Sequence, residues 1–214
     1  MDIQLASRIE RLPPYILGRL KQLIYERRQA GADVIDMNMG NPSDAPPDAV
    51  VEKIREAVLD PRNSRYSVSK GVFNLRRDMA LKYRRRWGVE LDPEKEVIAT
   101  IGSKEGFSHM CLALLGPGDT AAVADPAFQI HTYAVILAGA STVSVPLGND
   151  DAFLDRIEHV LSTLQPRPKV VILNYPHNPT TLTVEPAFFD RVVQLADRHQ
   201  VMILHDFAYG ETAY

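Results

Sequence analysis

KVVILNYPHNPTTLTVEPAFFDRVVQLADRHQVMILHDFAYGETAY, residues 169–214, changes its hydrophobic period twice, and the fold follows from those changes. Val170 to Leu173 and Val201 to Leu204 are apolar runs too short for helices, whereas the apolar residues from Pro186 to His199 recur at helical spacing. The order strand, helix, strand makes a parallel pair joined by a crossover. In an open α/β sheet the ligand crevice lies beyond the carboxyl ends of the strands. Both ends carry polar groups here: Asn174 and Asn178 after the first strand, Asp206 and Tyr209 after the second.

A carboxylate, an amide and a phenol at one crevice suit a pyridine-ring cofactor. The carboxylate keeps a ring nitrogen protonated, and the amide and phenol hold the ring's oxygen substituent. Asp206, Asn178 and Tyr209 supply that set. At Asn178-Pro179-Thr180 and Asp206-Phe207-Ala208-Tyr209 the chain resembles the fold type I pyridoxal-phosphate aminotransferases, whose Asn-Pro-Thr and Asp-x-Ala-Tyr motifs these match. Taken singly, each motif also has a plainer role, a β-turn for Asn-Pro and a helix cap for the Asp.

Upstream, strands and helices go on alternating. Glu96 to Thr100 reads as a strand running into Ile101-Gly102-Ser103-Lys104-Glu105-Gly106, with a helix from Phe107 to Leu115. A strand, Gly-Ser and a helix start aim free backbone N–H groups at an anion. Ser103 as a simple helix cap is the alternative. The pattern is neither the two spaced glycines before Lys-Ser/Thr of the P-loop nor the G-x-G-x-x-G of dinucleotide sites. Its match to the phosphate loop of the resembled family is better, with Lys104 placing an ammonium at the phosphate. Thr120 to Ala124 is the next strand, leading to Phe128, where the family stacks an aromatic on the cofactor ring; a core phenylalanine is the plainer reading. Tyr133 to Leu137 and Phe153 to Leu164 read as helices, and Ser141 to Pro146 as a strand.

Towards the N-terminus, Pro14 to Ala30, Pro46 to Leu59 and Phe73 to Trp87 read as helices. Asp33 to Met39 alternates as a strand and ends at Gly40-Asn41-Pro42. In the family a Gly-x-Pro there presents its backbone amide to the substrate carboxylate, which would give Gly40 that role; alone it is a turn. The loop Asn63 to Gly71, followed by Leu75-Arg76, resembles the segment whose tyrosine, here Tyr66, reaches the cofactor phosphate of the other subunit in a homodimer. Without the resemblance Tyr66 is an exposed loop residue. The basic run Lys82 to Arg86 closes a helix, where cations complement the dipole.

The bulk properties fit this picture and remove others. At 214 residues, 45% hydrophobic and 24% charged, the chain can bury a core, and its net charge of −3 leaves no electrostatic footprint for nucleic acid. No apolar run approaches a membrane span, no secretory pattern opens the chain, and the single cysteine, Cys111, cannot form an internal disulfide, so a cytoplasmic location is expected. No metal-ligand spacing is present.

The expected architecture is α/β: a three-layer, PLP-transferase-like large domain with a mainly parallel sheet, incomplete on its C-terminal side. Residues 1–32 are expected as an arm and helix of a small domain and 33–214 as the cofactor-binding large domain. The resemblance covers nearly the whole chain in order and implies pyridoxal 5'-phosphate, an amino acid and a 2-oxo acid as substrates, and a homodimer. HDFAY and NYPHNPTT look most like the subgroup that makes alanine from pyruvate with glutamate as donor. Thr181, where a Gly often follows Asn-Pro-Thr, and Phe207, where many members have Glu, depart from the pattern. The Asn178-Pro179 bond is expected to be cis, as in the family. The resemblance implies that the Schiff-base lysine lies beyond Tyr214; of the lysines present, Lys21, Lys53, Lys82, Lys95 and Lys169 are expected away from the strand ends, Lys70 on the loop after Tyr66, and Lys104 at the phosphate. The chain alone is therefore expected to be inactive. A carbon–sulfur lyase or cyclising synthase would share every cofactor residue named, and a non-catalytic truncated product is the other alternative.

Overall fold

A short apolar run becomes a strand only if its N–H and C=O groups find a neighbour, and four runs do. The computed structural model, which describes residues 3–38, 40 and 44–212, places Thr120–Asp125 (β1), Ser141–Pro146 (β2), Val170–Asn174 (β3) and Met202–Asp206 (β4) in one parallel sheet ordered β2-β1-β3-β4. Parallel strands need long crossovers, and three helices supply them: Gln129–Leu137, Asp151–Thr163 and Pro186–His199, labelled α6, α7 and α8 below.

Both faces of this sheet are covered, and the strand sequences say why. Along β1, Ala121 and Val123 face one way and Ala122 and Ala124 the other, and every one of them is buried. Ala122, Ala124, Val171 and Leu173 share a core with Phe153, Leu154 and Ile157 of α7 and Phe188, Val192 and Leu195 of α8. Ala121, Val123, Val170 and Ile172 share another with Phe107 and Cys111 from the helix Ser103–Leu114 (α5) and with Ala134 and Val135 of α6. The result is three layers with continuous apolar strands in the middle, as a parallel sheet requires. Each large side chain so buried contributes roughly 1.5–3 kcal/mol.

The described residues divide into two units, 3–12 with 99–212, and Pro13–Ile98. In the first, the one-turn helix Ser7–Glu10 (α1) is followed by Arg11, whose guanidinium donates to the carbonyls of Gly139 and Ala140 and to Ser141 Oγ. The second contains Ile16–Gln29 (α2), Asp48–Leu59 (α3), the 3-10 turn Pro61–Ser64 and Phe73–Trp87 (α4). Gly88, at φ 68°, ends α4 in the left-handed conformation that suits glycine. Arg76 of α4 is buried; it donates to the carbonyls of Gly71 (3.0 Å) and Pro93 and pairs with Glu94, which also pairs with Lys70. That clamp fixes the loop before α4 to the turn at 92–96.

Two expected strands are absent. Residues 33–38, with Met39 outside the described residues, and 96–100 form no ladder. Their alternating pattern is real, but Ile35, Met37 and Ile98 are exposed and no described segment pairs with them. Alternation records which face a side chain would take; it does not supply the partner. α5 and α6 also begin four residues earlier than their apolar periodicity suggested.

Candidate functional site

The strand order creates the site. From β1 the chain crosses to β2 on one side, and from β3 it crosses to β4 on the other, so the loops after β1 and β3 part and leave a crevice at the carboxyl ends. Phe128 lies in the first loop, Asn178 in the second, and Asp206 ends β4.

Asn174 and Asp206 are register partners at the last step of the β3–β4 ladder. The Asp206 carboxylate is held at both oxygens: His131 Nε2 donates to Oδ2 at 3.0 Å and the Ala208 N–H to Oδ1 at 3.2 Å. The His131 hydrogen bond holds the Asp206 carboxyl below the usual carboxylate range, against the opposing effect of burial. The pair is shielded, with side-chain exposures of 2% for His131 and 10% for Asp206. His131 lies in the first turn of α6 and meets Phe128 edge-on at 5.9 Å, with Phe107 at 5.0 Å on another side. These contacts allow the imidazole little choice but to face the carboxylate.

Asn178 follows β3 in a loop closed by its own hydrogen bonds. Its N–H donates to Asn174 Oδ1 at 2.8 Å, its Nδ2 donates to the Tyr209 phenol at 3.2 Å, and the Asn178-Pro179 bond is cis, as expected. The buried His177 shares a hydrogen bond with Thr180 Oγ1 at 2.8 Å and bonds the backbone of Pro126; burial pushes its imidazole towards the neutral form. Asn178, Tyr209, His177 and Thr181 are among the residues lining a cavity of about 330 Å³.

Ser103 and Lys104 form the first turn of α5, after Gly102 at φ 83°. Gly102, not Ser103, is the cap, and no side-chain cap bond forms; the Glu105 carboxylate accepts from the Ile101 N–H instead. The alternative of Ser103 as helix cap is thereby corrected. A Cβ on Gly106 would stand 3.1 Å from Thr100 Oγ1, which donates to the Gly102 carbonyl at 3.0 Å, so the corner is tightly set. The Lys104 ammonium lies 5.0 Å from the Phe128 ring centroid, a cation–π arrangement.

Thus Asn178 with Tyr209, and Lys104 with Phe128, come together, and Asp206 ends the strand beside Asn174. Gly40 and Tyr66 belong to the other unit, and both are exposed; Asn41 and Pro42 lie outside the described residues. Of the other lysines, Lys53, Lys70, Lys95 and Lys169 pair with Glu56, Glu94, Asp92 and Asp119. Sequence reasoning missed His131 and His177. A histidine one helical turn after Phe128, at the mouth of the same crevice, was the available signal for the first; the second carries none.

A family model described as aminotransferase class I and II matches residues 32–214. The chain is 44% identical over 208 residues to the glutamate-pyruvate aminotransferase AlaC of Escherichia coli (strain K12), across 97% of this chain and 50% of that protein. It is 36% identical over 206 residues to the LL-diaminopimelate aminotransferase of Halothermothrix orenii (strain H 168), across 96% and 53%. Among solved structures, an aspartate aminotransferase double mutant of Thermus thermophilus matches with a TM-score of 0.85 at 26% identity, covering 96% of this chain and 53% of that one. The chain spans about half the length of the curated relatives it matches.

Proposed function

This chain belongs to the aminotransferase class I and II family, whose members use pyridoxal 5'-phosphate, and on that premise we propose that it carries the cofactor-binding half of an enzyme moving an amino group between an amino acid and a 2-oxo acid. The observation that carries the proposal is the Asp206 carboxylate, kept ionised by His131 at the end of β4. An anion fixed there suits the protonated ring nitrogen of the family's cofactor.

The donor set fits the cofactor. Asp206 would hold the ring nitrogen, the Asn178 amide and Tyr209 phenol the ring oxygen, and the face of Phe128 the ring. The first-turn N–H groups of Ser103 and Lys104 would take the phosphate, as helix N-termini do. Pyridoxal phosphate supplies, when bound, an aldehyde for attaching an amino group and a ring that withdraws electrons from it. The protein's part is to orient that ring and to keep its nitrogen charged. Two roles rest on the sequence resemblance: Gly40 at the substrate carboxylate and Tyr66 at the phosphate of the partner in a homodimer. The same resemblance assigns residues 1–32 to a smaller domain and 33–214 to the large one.

Alanine and glutamate are the proposed substrate pair, supported by the 44% identity to a glutamate-pyruvate enzyme. LL-diaminopimelate is the rival donor, favoured by relatives at 36–39% identity. A cytoplasmic location is proposed with this metabolism; no helix among the described residues is long and apolar enough to cross a membrane. On the resemblance none of the lysines in these 214 residues has the role of the reaction lysine, so turnover by the chain alone is not expected.

The test is full-length protein with pyridoxal phosphate, 2-oxoglutarate and either alanine or LL-diaminopimelate. Pyruvate from alanine is expected, and the Asp206→Ala variant should lose orders of magnitude in rate. Wild-type turnover by that variant refutes the Asp206 assignment, and release of a thiol and ammonia from a cysteine thioether offered in place of alanine, without amino transfer, would move the protein to lyase chemistry.

A further inference from the structure

We infer that Asn174 is a positioning residue for the proposed cofactor site: its one buried amide fixes the backbone on which both Asp206 and Asn178 are mounted. The inference rests on the functional reading above. Asn174 is 3% exposed, and its side chain reaches no crevice residue's functional atoms. It is nevertheless fully engaged. Nδ2 donates to the Asp206 carbonyl at 2.8 Å and to the Pro176 carbonyl at 3.2 Å, and Oδ1 accepts the Asn178 N–H at 2.8 Å.

The arrangement follows from where the ladder ends. Asn174 and Asp206 are the final register pair of β3 and β4, and beyond them both chains turn away. The Asn174 side chain continues the ladder for one more step, donating to Asp206 as a backbone N–H would. Its other end closes the loop from 174 to 178. Only one amide orientation serves, because reversal would set Oδ1 against two carbonyl oxygens and Nδ2 against an N–H. Asp206 is thereby fixed from three directions: its carbonyl by Asn174, its carboxylate by His131 and by the Ala208 N–H. Asn178 is fixed at its N–H by Asn174 and at its amide by Tyr209. A group that sets the spacing between the ring-nitrogen partner and the ring-oxygen partner acts on affinity without touching the ligand.

Asn174→Asp tests this in the full-length protein, since it keeps the acceptor for Asn178 and removes both donated bonds. Pyridoxal phosphate binding, followed by absorbance titration, should weaken roughly tenfold to hundredfold, the range lost when a supporting shell is loosened. In an Asp206→Asn, Asn178→Ala background the same change should cost little further affinity, because the residues it positions are already gone. An equal loss in both backgrounds, or unchanged affinity in the native background, overturns the inference and leaves Asn174 as ordinary core. If the Asp206→Asn, Asn178→Ala protein itself binds the cofactor undiminished, the cofactor reading falls and this inference with it. A measurement without any variant guards against misfolding: in the unmodified 214-residue chain the Asn178 amide hydrogen should exchange as slowly as those of β3. Exchange at the rate of an open loop would sink the idea directly.

Discussion

Replacing His131 with phenylalanine isolates the contact on which the site's charge depends. The new ring is larger than the imidazole and keeps Phe107 and Phe128 beside it, so no cavity forms; what disappears is the hydrogen bond to Asp206 Oδ2, and the pH dependence separates that loss from the pH-independent cost of the added bulk. A hydrogen bond to a charged group is worth about 1.5–3 kcal/mol. Both partners are shielded, at 2% and 10% side-chain exposure, so no discount for solvent screening applies. For a domain of this size that loss corresponds to a melting point lower by roughly 3–12 °C. The pH dependence identifies the cause. Asp206 has its carboxyl lowered by His131, so it contributes stability that is fully present above the unfolded value of about 3.9 and is lost as pH falls through the lower folded value. Urea denaturation of both proteins from neutral pH to pH 3 should therefore show a gap that holds down to about pH 4 and narrows below it. A variant within about 0.5 kcal/mol of the parent at pH 7, the range of inconsequential surface changes, or a gap that widens on acidification, would falsify this account.

Three further outcomes are expected from the 214-residue chain itself. Thr181 sits at φ 63°, a conformation costing a β-branched residue about 1–2 kcal/mol; Thr181→Gly should net a gain of about 0.5–1 kcal/mol after the glycine's extra unfolded-state freedom, and a lower melting point would contradict the strain. Cys111 is fully buried, and burial pushes its thiol up to about 11, so a disulfide reagent at pH 8 should label it only as fast as the protein unfolds; rapid stoichiometric labelling would show the core to be open. Arg76→Lys cannot serve the Gly71 and Pro93 carbonyls together with Glu94, so it should cost roughly 1–3 kcal/mol and speed proteolysis at residues 65–71; an unchanged digestion pattern would remove the clamp from the explanation.

How much of this could be read from the chain depends on whether a signal was local. The helices Phe73–Trp87 and Pro186–His199 match their periodicity and caps to the residue, because Gly88 and Pro186 punctuate them and no distant partner is needed. The strand ends were legible as well, since Asn178, Asp206 and Tyr209 stand at fixed offsets from apolar runs. Residues 33–39 and 96–100 were not legible as to state, because pairing is a property of two segments and the pattern describes one. His131 stayed silent for a related reason, and Asn174 was legible as a polar group at the strand end but not in what it contacts. One acts across 75 residues and the other across 32, and neither belongs to a motif that announces the contact.

The Arg11 contact has a consequence for synthesis. Its acceptors are the carbonyls of Gly139 and Ala140 and the hydroxyl of Ser141, made some 128 to 130 residues later. At roughly 5–20 residues per second, Arg11 is joined to the chain about 6–26 seconds before those acceptors are. β1 meets β2 after only about twenty residues of further growth. The segment around Arg11 therefore waits through some 128 residues of synthesis before it can dock, and until then it is accessible to chaperones and proteases. A nascent chain halted before residue 139 should lose residues 3–12 to a protease that spares them in the finished protein.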